Sequence, residues 1–300
     1  MFAGDLFVPA ALRLAAALAG GLGLILVAER HHLRDLTSHV LFVRWRTWAI
    51  SAPLFGAAAI GPVELAVVFV MAISFQGMRE YAALVGLPRP YRTAMYAAGL
   101  VSIPVAVLSL TLWRGMPPVL LVAATLTPLV MQDVEQGVRR LAFAAFGFAY
   151  VPWLATYLLL IREHVPGGQR ILLALGMSVA LSDVCAFATG KLFGRRPLAP
   201  RLSPGKTRAG VAGNVAGAYL GFAIMGFALP QSLSPVVAWA LPAVIAAGCI
   251  WGDLVESLVK RQFGAKDAGA WLPGFGGLLD RIDSLLVVLP LVYTVLVLWG

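Results

Sequence analysis

The sequence predicts an all-α, polytopic integral membrane bundle of nine or ten transmembrane helices, on three observations. Hydrophobic residues make up 60% of the 300 and charged residues 12%, with a mean hydropathy of +0.86, outside the range of soluble domains. Apolar runs recur along the chain at lengths near the roughly twenty residues that a helix needs to cross a bilayer. The bases fall in alternate connections between those runs, the positive-inside pattern of a chain that threads a membrane repeatedly.

The first run, residues 9–28, is broken only by Arg13, near enough to its end to snorkel. It is too long for a signal-peptide core and reads as an uncleaved span followed by Glu29-Arg30-His31-His32. Adjacent histidines point to different sides of a helix, so His31 and His32 read as a titrating pair at the headgroup surface. The apolar stretch from Trp48 to Met78 exceeds one upright helix, and Gly61-Pro62 divides it into two short spans joined by a tight turn. Glu64 and Glu80 then lie near opposite aqueous ends, and neither needs a catalytic role. Further spans cover residues 93–113, 118–131, 141–161, 171–190, 209–229, 236–252 and 284–299, giving ten in all. Their internal Pro and Gly are tolerated because neighbouring helices satisfy the freed backbone groups. Residues 1–170 form an N-terminal set of helices and 171–300 a catalytic region, within one integral unit. Cys185 and Cys249 lack metal or redox spacing and read as buried small hydrophobes.

Connections 29–46, 79–92, 132–140, 191–208 and 253–283 hold 19 of the 23 Lys and Arg residues, which places them on the cytoplasmic side of the inner membrane. The net charge of +9 is not gathered into basic-aromatic patches, so nucleic acid is excluded as a partner.

Polar chemistry concentrates in two stretches. In the first, Gly252 to Asp283, a helix opening at Asp253 projects Asp253, Glu256, Ser257 and Lys260 from one face, and Asp280 and Asp283 lie one turn apart. Carboxylate pairs among bases on one side of a membrane suit a metal-bound polyanionic phosphate. Glycines between Pro273 and Gly277 let backbone N–H groups approach an anion. The second stretch carries Asp183, deep in a span, then Lys191 to Arg196 and the loop Ser203-Pro204-Gly205-Lys206-Thr207. An ionised carboxylate at that depth requires a partner or a cavity. The Gly-Lys-Thr run is not a P-loop, since Pro200 stands where the first glycine belongs and no strand precedes it. Gly210, Gly213 and Gly217 recur at helical spacing around Asn214 and form a face for close helix packing.

The run Ser257-x-x-Lys260-Arg261-x4-Lys266-Asp267-x-Gly269-x2-Leu272-Pro273-x-x-Gly276-Gly277-x-x-Asp280-Arg281-x-Asp283 resembles the signature of the phosphatidate cytidylyltransferases, the CDP-diacylglycerol synthases. Asp183-x-x-Ala186-Phe187-x-x-Gly190 and the Ser-Pro-x-Lys-Thr loop are similar to that family too. One position departs: Phe275 stands where the family has His, and phenylalanine neither bonds phosphate nor orients water.

The resemblance implies condensation of CTP with phosphatidate to CDP-diacylglycerol and pyrophosphate, in the membrane, with Mg²⁺ and room for a second cation. By the same carry-over Asp253 and Asp280 are metal ligands, and Asp283 is a third or supports them from behind. Lys260, Arg261, Lys266 and Arg281 hold CTP or lipid phosphate, and Asp267 holds Lys266 or the nucleotide. Lys206, Ser203 and Thr207 close over the triphosphate, and Asp183 binds metal or orients a base of the 191–196 cluster. The family also favours a homodimer. Two alternatives stand beside this: a relative using another lipid phosphate, or a lipid alcohol as a CTP-dependent kinase, and a transporter with an intramembrane ion path. The gathering of acids at one face argues against the transporter.

Overall fold

The computed structural model describes residues 4–28, 40–269, 271 and 276–299. His31, His32 and Phe275 lie outside the described residues. The chain runs α1 (Gly4–Ala28), α2 (Val40–Ile60), α3 (Val63–Leu84), α4 (Arg89–Leu108), α5 (Leu110–Ala124), α6 (Leu126–Val130) and α7 (Gly137–Phe148). A π-helical turn, Ala149–Trp153, leads into α8 (Leu154–His164) and then α9 (Gly168–Phe193). A small antiparallel hairpin, β1 (Pro197–Ala199) and β2 (Ser203–Thr207), precedes α10 (Arg208–Ile224), α11 (Pro235–Gln262) and α12 (Leu279–Trp299). Seven of the described helical segments are long and apolar enough to cross a membrane. The chain is an all-α polytopic membrane protein.

The sequence-predicted spans follow the helices when α5 is joined to α6 and α7 to α8, except that 93–113 runs past the end of α4 into α5 and 209–229 runs past α10 into a short 3-10 turn. Gly61-Pro62 does divide α2 from α3, but the two helices are 21 and 22 residues long, not short. Arg162, buried, donates to the carbonyls of Ala59 and Gly61 and so satisfies the α2 terminus at that break. The next boundary is corrected. The chain breaks at Ser109, whose hydroxyl accepts from the Leu112 N–H as an N-cap, and Pro117 and Pro118 lie within α5. Arg13 does not snorkel: it donates to the Ile224 carbonyl at 2.9 Å and lies 3.6 Å over the Phe227 ring, satisfying the last turn of α10.

The core lies where α8 and α9 meet the other helices, with Leu158 to Ile161, Leu172 and Leu175 fully buried. In lipid, helices associate through close packing, because hydrocarbon competes equally for apolar side chains. The α9–α10 pair obeys this closely. Gly217 and Gly221 of α10 rest on backbone atoms of Leu181 and Met177 in α9, as the small-residue spacing predicts. The same device joins α11 to α12 at Gly252, where a Cβ would meet the Asp283 carbonyl oxygen at 2.5 Å and the Ser284 Cα at 2.8 Å. Both obstacles are backbone. Gly252→Val is therefore expected to force the two helices apart at a cost of about 1–3 kcal/mol, read as a lowered thermal midpoint in detergent together with lost activity.

Candidate active site

Helix α11 does not begin at Asp253 but continues through it, because Gly252 is a packing position within the helix and not a break. The predicted face survives: Asp253, Glu256, Ser257 and Lys260 still lie along one side. The α11–α12 crossing at Gly252 sets Asp253 beside the buried Asp283, whose carboxylates adjoin. Ser284 Oγ donates to the Cys249 carbonyl at 3.4 Å and lies 3.5 Å from Asp253 Oδ1, and the Ser284 N–H donates to Asp283 Oδ1 at 2.8 Å. From α9, half-buried Asp183 comes within electrostatic reach of Asp253, with Lys206 and Arg281 as countercharges. Two acids of α11 and α12 and one of α9 converge, although 70 residues separate Asp183 from Asp253.

The loop Ser203-Pro204-Gly205-Lys206-Thr207 is strand β2, paired with Pro197 to Ala199. The hairpin delivers Lys206 Nζ to Asp253 Oδ2 at 2.5 Å, both side chains about a third exposed at 29% and 33%. Thr207 caps α10, its hydroxyl oxygen accepting from the Gly210 N–H at 3.1 Å, and Ser203 stands half-buried at the start of the strand. Arg261 donates to the Leu202 and Ala265 carbonyls, both at 3.3 Å, tying the hairpin to the end of α11.

Asp280 and Lys260 are placed differently from the expectation. Lys260 does not present its ammonium outward to phosphate: it bridges Glu256 Oε2 and Asp280 Oδ1, each at 2.6 Å. Asp280 accepts as well from the backbone N–H of Gly277 at 2.7 Å and of Ala268 at 3.0 Å. It therefore pins the motif loop to α12, and its oxygens turn toward that loop. Gly276 takes φ +82, and a Cβ there would lie 2.7 Å from Asp280 Oδ2 and 3.3 Å from the Asp267 Cβ, so only glycine fits the turn. Lys266, Asp267 and Arg281 are exposed around this loop.

Among the described residues, no group of three or more His, Cys, Asp or Glu side chains forms a cage for a metal ion. The donor chemistry still fits Mg²⁺, which characteristically takes one or two carboxylates and completes its shell with water and substrate phosphates. Asp253 and Asp283 provide that pair, with Asp183 nearby. Asp280 is occupied with the loop.

One residue at this site escaped sequence reasoning. Glu80 of α3, read as an interfacial acid without a role, is buried, and it accepts from the N–H groups of Leu278 at 2.9 Å and Leu279 at 2.8 Å. Gln76 holds it from one turn away at 2.8 Å. A carboxylate against the first N–H groups of α12 satisfies orphan donors and complements the helix dipole. Glu256, which its spacing sets on the acid face of α11, is buried, with Oε1 making no hydrogen bond.

Residues 42–299 match the model of the cytidylyltransferase family. A phosphatidate cytidylyltransferase of Pseudomonas aeruginosa is 33% identical over 233 residues, 74% of this chain and 84% of that protein. One from Mycobacterium leprae is 37% identical over 165 residues, 55% of this chain and 52% of that protein. The uncharacterized protein YnbB of Escherichia coli is 30% identical over 259 residues, 84% of this chain and 85% of that protein. The matched region takes in every helix from α3 to α12, the hairpin and both acid-bearing stretches, so the chain belongs to the cytidylyltransferase family.

Proposed function

We propose that the chain joins CTP to phosphatidate, forming CDP-diacylglycerol and releasing pyrophosphate. One observation carries the reading: carboxylates of α9, α11 and α12 meet a hairpin lysine at the end of a membrane span. Relatives named phosphatidate cytidylyltransferase support it. In the reaction a phosphate oxygen of the lipid bonds to the α-phosphorus of CTP while the bond to the β-phosphate oxygen breaks, and that oxygen leaves with pyrophosphate. The lipid phosphate is already ionised near neutral pH, so no strong general base is needed. The obstacle is repulsion between two anions and the charge that develops on the leaving group.

Bound Mg²⁺ neutralises part of that charge, and Asp253 and Asp283 are the residues that would hold it. Lys206, carried on a two-stranded hairpin, supplies a mobile ammonium to the triphosphate, and Ser203 adds a hydroxyl donor beside it. Lys266 and Arg281, exposed at the same end, attract the phosphates. Lys260 and Asp280 keep the motif loop in register. The excess of bases on this side of the chain supports a site at the cytoplasmic face of the inner membrane, where CTP is available. The glycine- and alanine-rich spans suit a homodimer.

The test uses purified protein in lipid, given α-labelled CTP. Label is expected to enter the lipid fraction only with phosphatidate and Mg²⁺ both present, with pyrophosphate as the other product. Phe275 favours a second reading, a CTP-dependent kinase acting on a lipid alcohol, and CDP in place of pyrophosphate would identify it. Absence of both products overturns the assignment.

A further inference from the structure

We infer that Tyr150, which no sequence motif marks, is a positioning residue of the acid site, its phenol O–H serving as hydrogen-bond donor to the Asp283 carboxylate when a cation is bound. The inference rests on the reading of Asp253 and Asp283 as a cation site.

Tyr150 lies on the π-helical turn between α7 and α8. The turn has a local cause. Pro152 has no N–H to give and its ring crowds the carbonyl four residues earlier, and widening the helix relieves both. The turn is pinned on both sides: Val151 packs on Gly77 of α3, and Pro152 on Gly99 of α4, each leaving no room for a Cβ. An inserted residue changes the direction of the side chains around it, and here the widened turn sends the Tyr150 ring inward.

The destination is polar. Tyr150 is 5% exposed, and its hydroxyl has no hydrogen-bond partner. The acids whose charge reaches it are Asp283, Glu256, Asp253 and Asp280. Glu256, 4% exposed, reaches the same interior with Oε1 unpartnered. A buried hydroxyl without a partner costs about 1–3 kcal/mol, which phenylalanine at this position would avoid. Packing cannot account for the oxygen, since the ring already stacks on Phe146 at 5.5 Å. Hydrogen-bond donors behind a metal-ligating carboxylate fix its orientation, and a buried phenol with a free O–H among these acids has the chemistry of such a donor to Asp283.

Tyr150→Phe separates function from structure, because it removes an atom that holds nothing in the fold. Thermal unfolding of the full-length protein in detergent is measured with and without Mg²⁺ or Mn²⁺, alongside CTP turnover. Without cation the midpoint of Y150F is expected to equal or exceed that of the wild type. The cation concentration giving half of the stabilisation, and of the turnover, should rise about tenfold to a hundredfold. Phe146→Leu serves as the packing control and should lower the midpoint without moving the cation dependence. An unchanged cation dependence in Y150F overturns the inference, as does a wild-type protein that gains no stability from either cation. If the cation effect depends on Tyr150 but no labelled lipid forms, the proposed reaction falls and the inference stands.

Discussion

Asp253→Asn is expected to lower CTP turnover by about a thousandfold, roughly 4 kcal/mol of transition-state stabilisation, in a protein that still folds. The two halves of that result have separate causes. Asp253 is a third exposed, and its packing contacts are made by the helix around it, with Gly252 against α12. Asparagine keeps the shape and one acceptor oxygen, so α11 and α12 stay in contact. What it removes is a formal charge at the point where Lys206, Asp183 and Asp283 meet. A divalent cation sharing two carboxylates loses half of its protein charge by this change, and Lys206 loses the partner that draws it into the site. Initial rates with labelled CTP, beside an unfolding curve, provide the check. Turnover within tenfold of the wild type would mean that the nucleotide is held elsewhere. Asp280→Asn makes an informative contrast: Asp280 bridges Lys260 and two backbone N–H groups, so its loss is expected to lower stability and activity together.

How much of this was legible in the sequence depends on the range over which each signal acts. Local covalent signals survived. Gly61-Pro62 breaks a helix wherever it stands, because proline lacks a donor and its ring crowds the preceding turn. The glycines of α10 mark a packing face through their period alone. Where a local signal was ambiguous, the structure decided otherwise. Pro117 and Pro118 look like a break but lie within α5, and Ser109 ends the previous helix with a single hydroxyl. Gly252 looked like a helix start before Asp253, yet it is a glycine required by the neighbouring helix. The acids were found because charge is conspicuous in hydrocarbon, but their partners were not. Lys260 is one turn from Glu256 and 20 residues from Asp280, and only the fold shows that it serves both. Glu80 and Tyr150 carry no motif at all. Each is identified by what it faces across the bundle, which no spacing along the chain encodes.

Glu80→Ala is expected to be the most destabilising single change at the site. Glu80 reaches 198 and 199 residues along the chain to accept from the Leu278 and Leu279 N–H groups, the first donors of α12. Alanine leaves both without an acceptor in a region closed to water, at about 1–3 kcal/mol for each, and removes a negative charge from the positive end of the helix. The sum, roughly 2–6 kcal/mol by the same measure, is comparable to the whole stability of many domains. Gly277 packs directly on the Glu80 carboxylate, so the loop cannot close onto the gap without moving Asp280, which the Gly277 N–H holds. Activity is therefore expected to fall with stability. Glu80→Gln should lie between: its amide oxygen accepts from one N–H, while its NH₂ group turns a donor toward the other. Thermal unfolding ranks the variants, and amide exchange across residues 276–283 locates the damage. Faster exchange in that segment, with exchange across α9 and α10 unchanged, is the signature of an anchor lost at one end of one helix. Exchange that stays at the wild-type rate there would mean that α12 is held at its start by the α11 contacts alone.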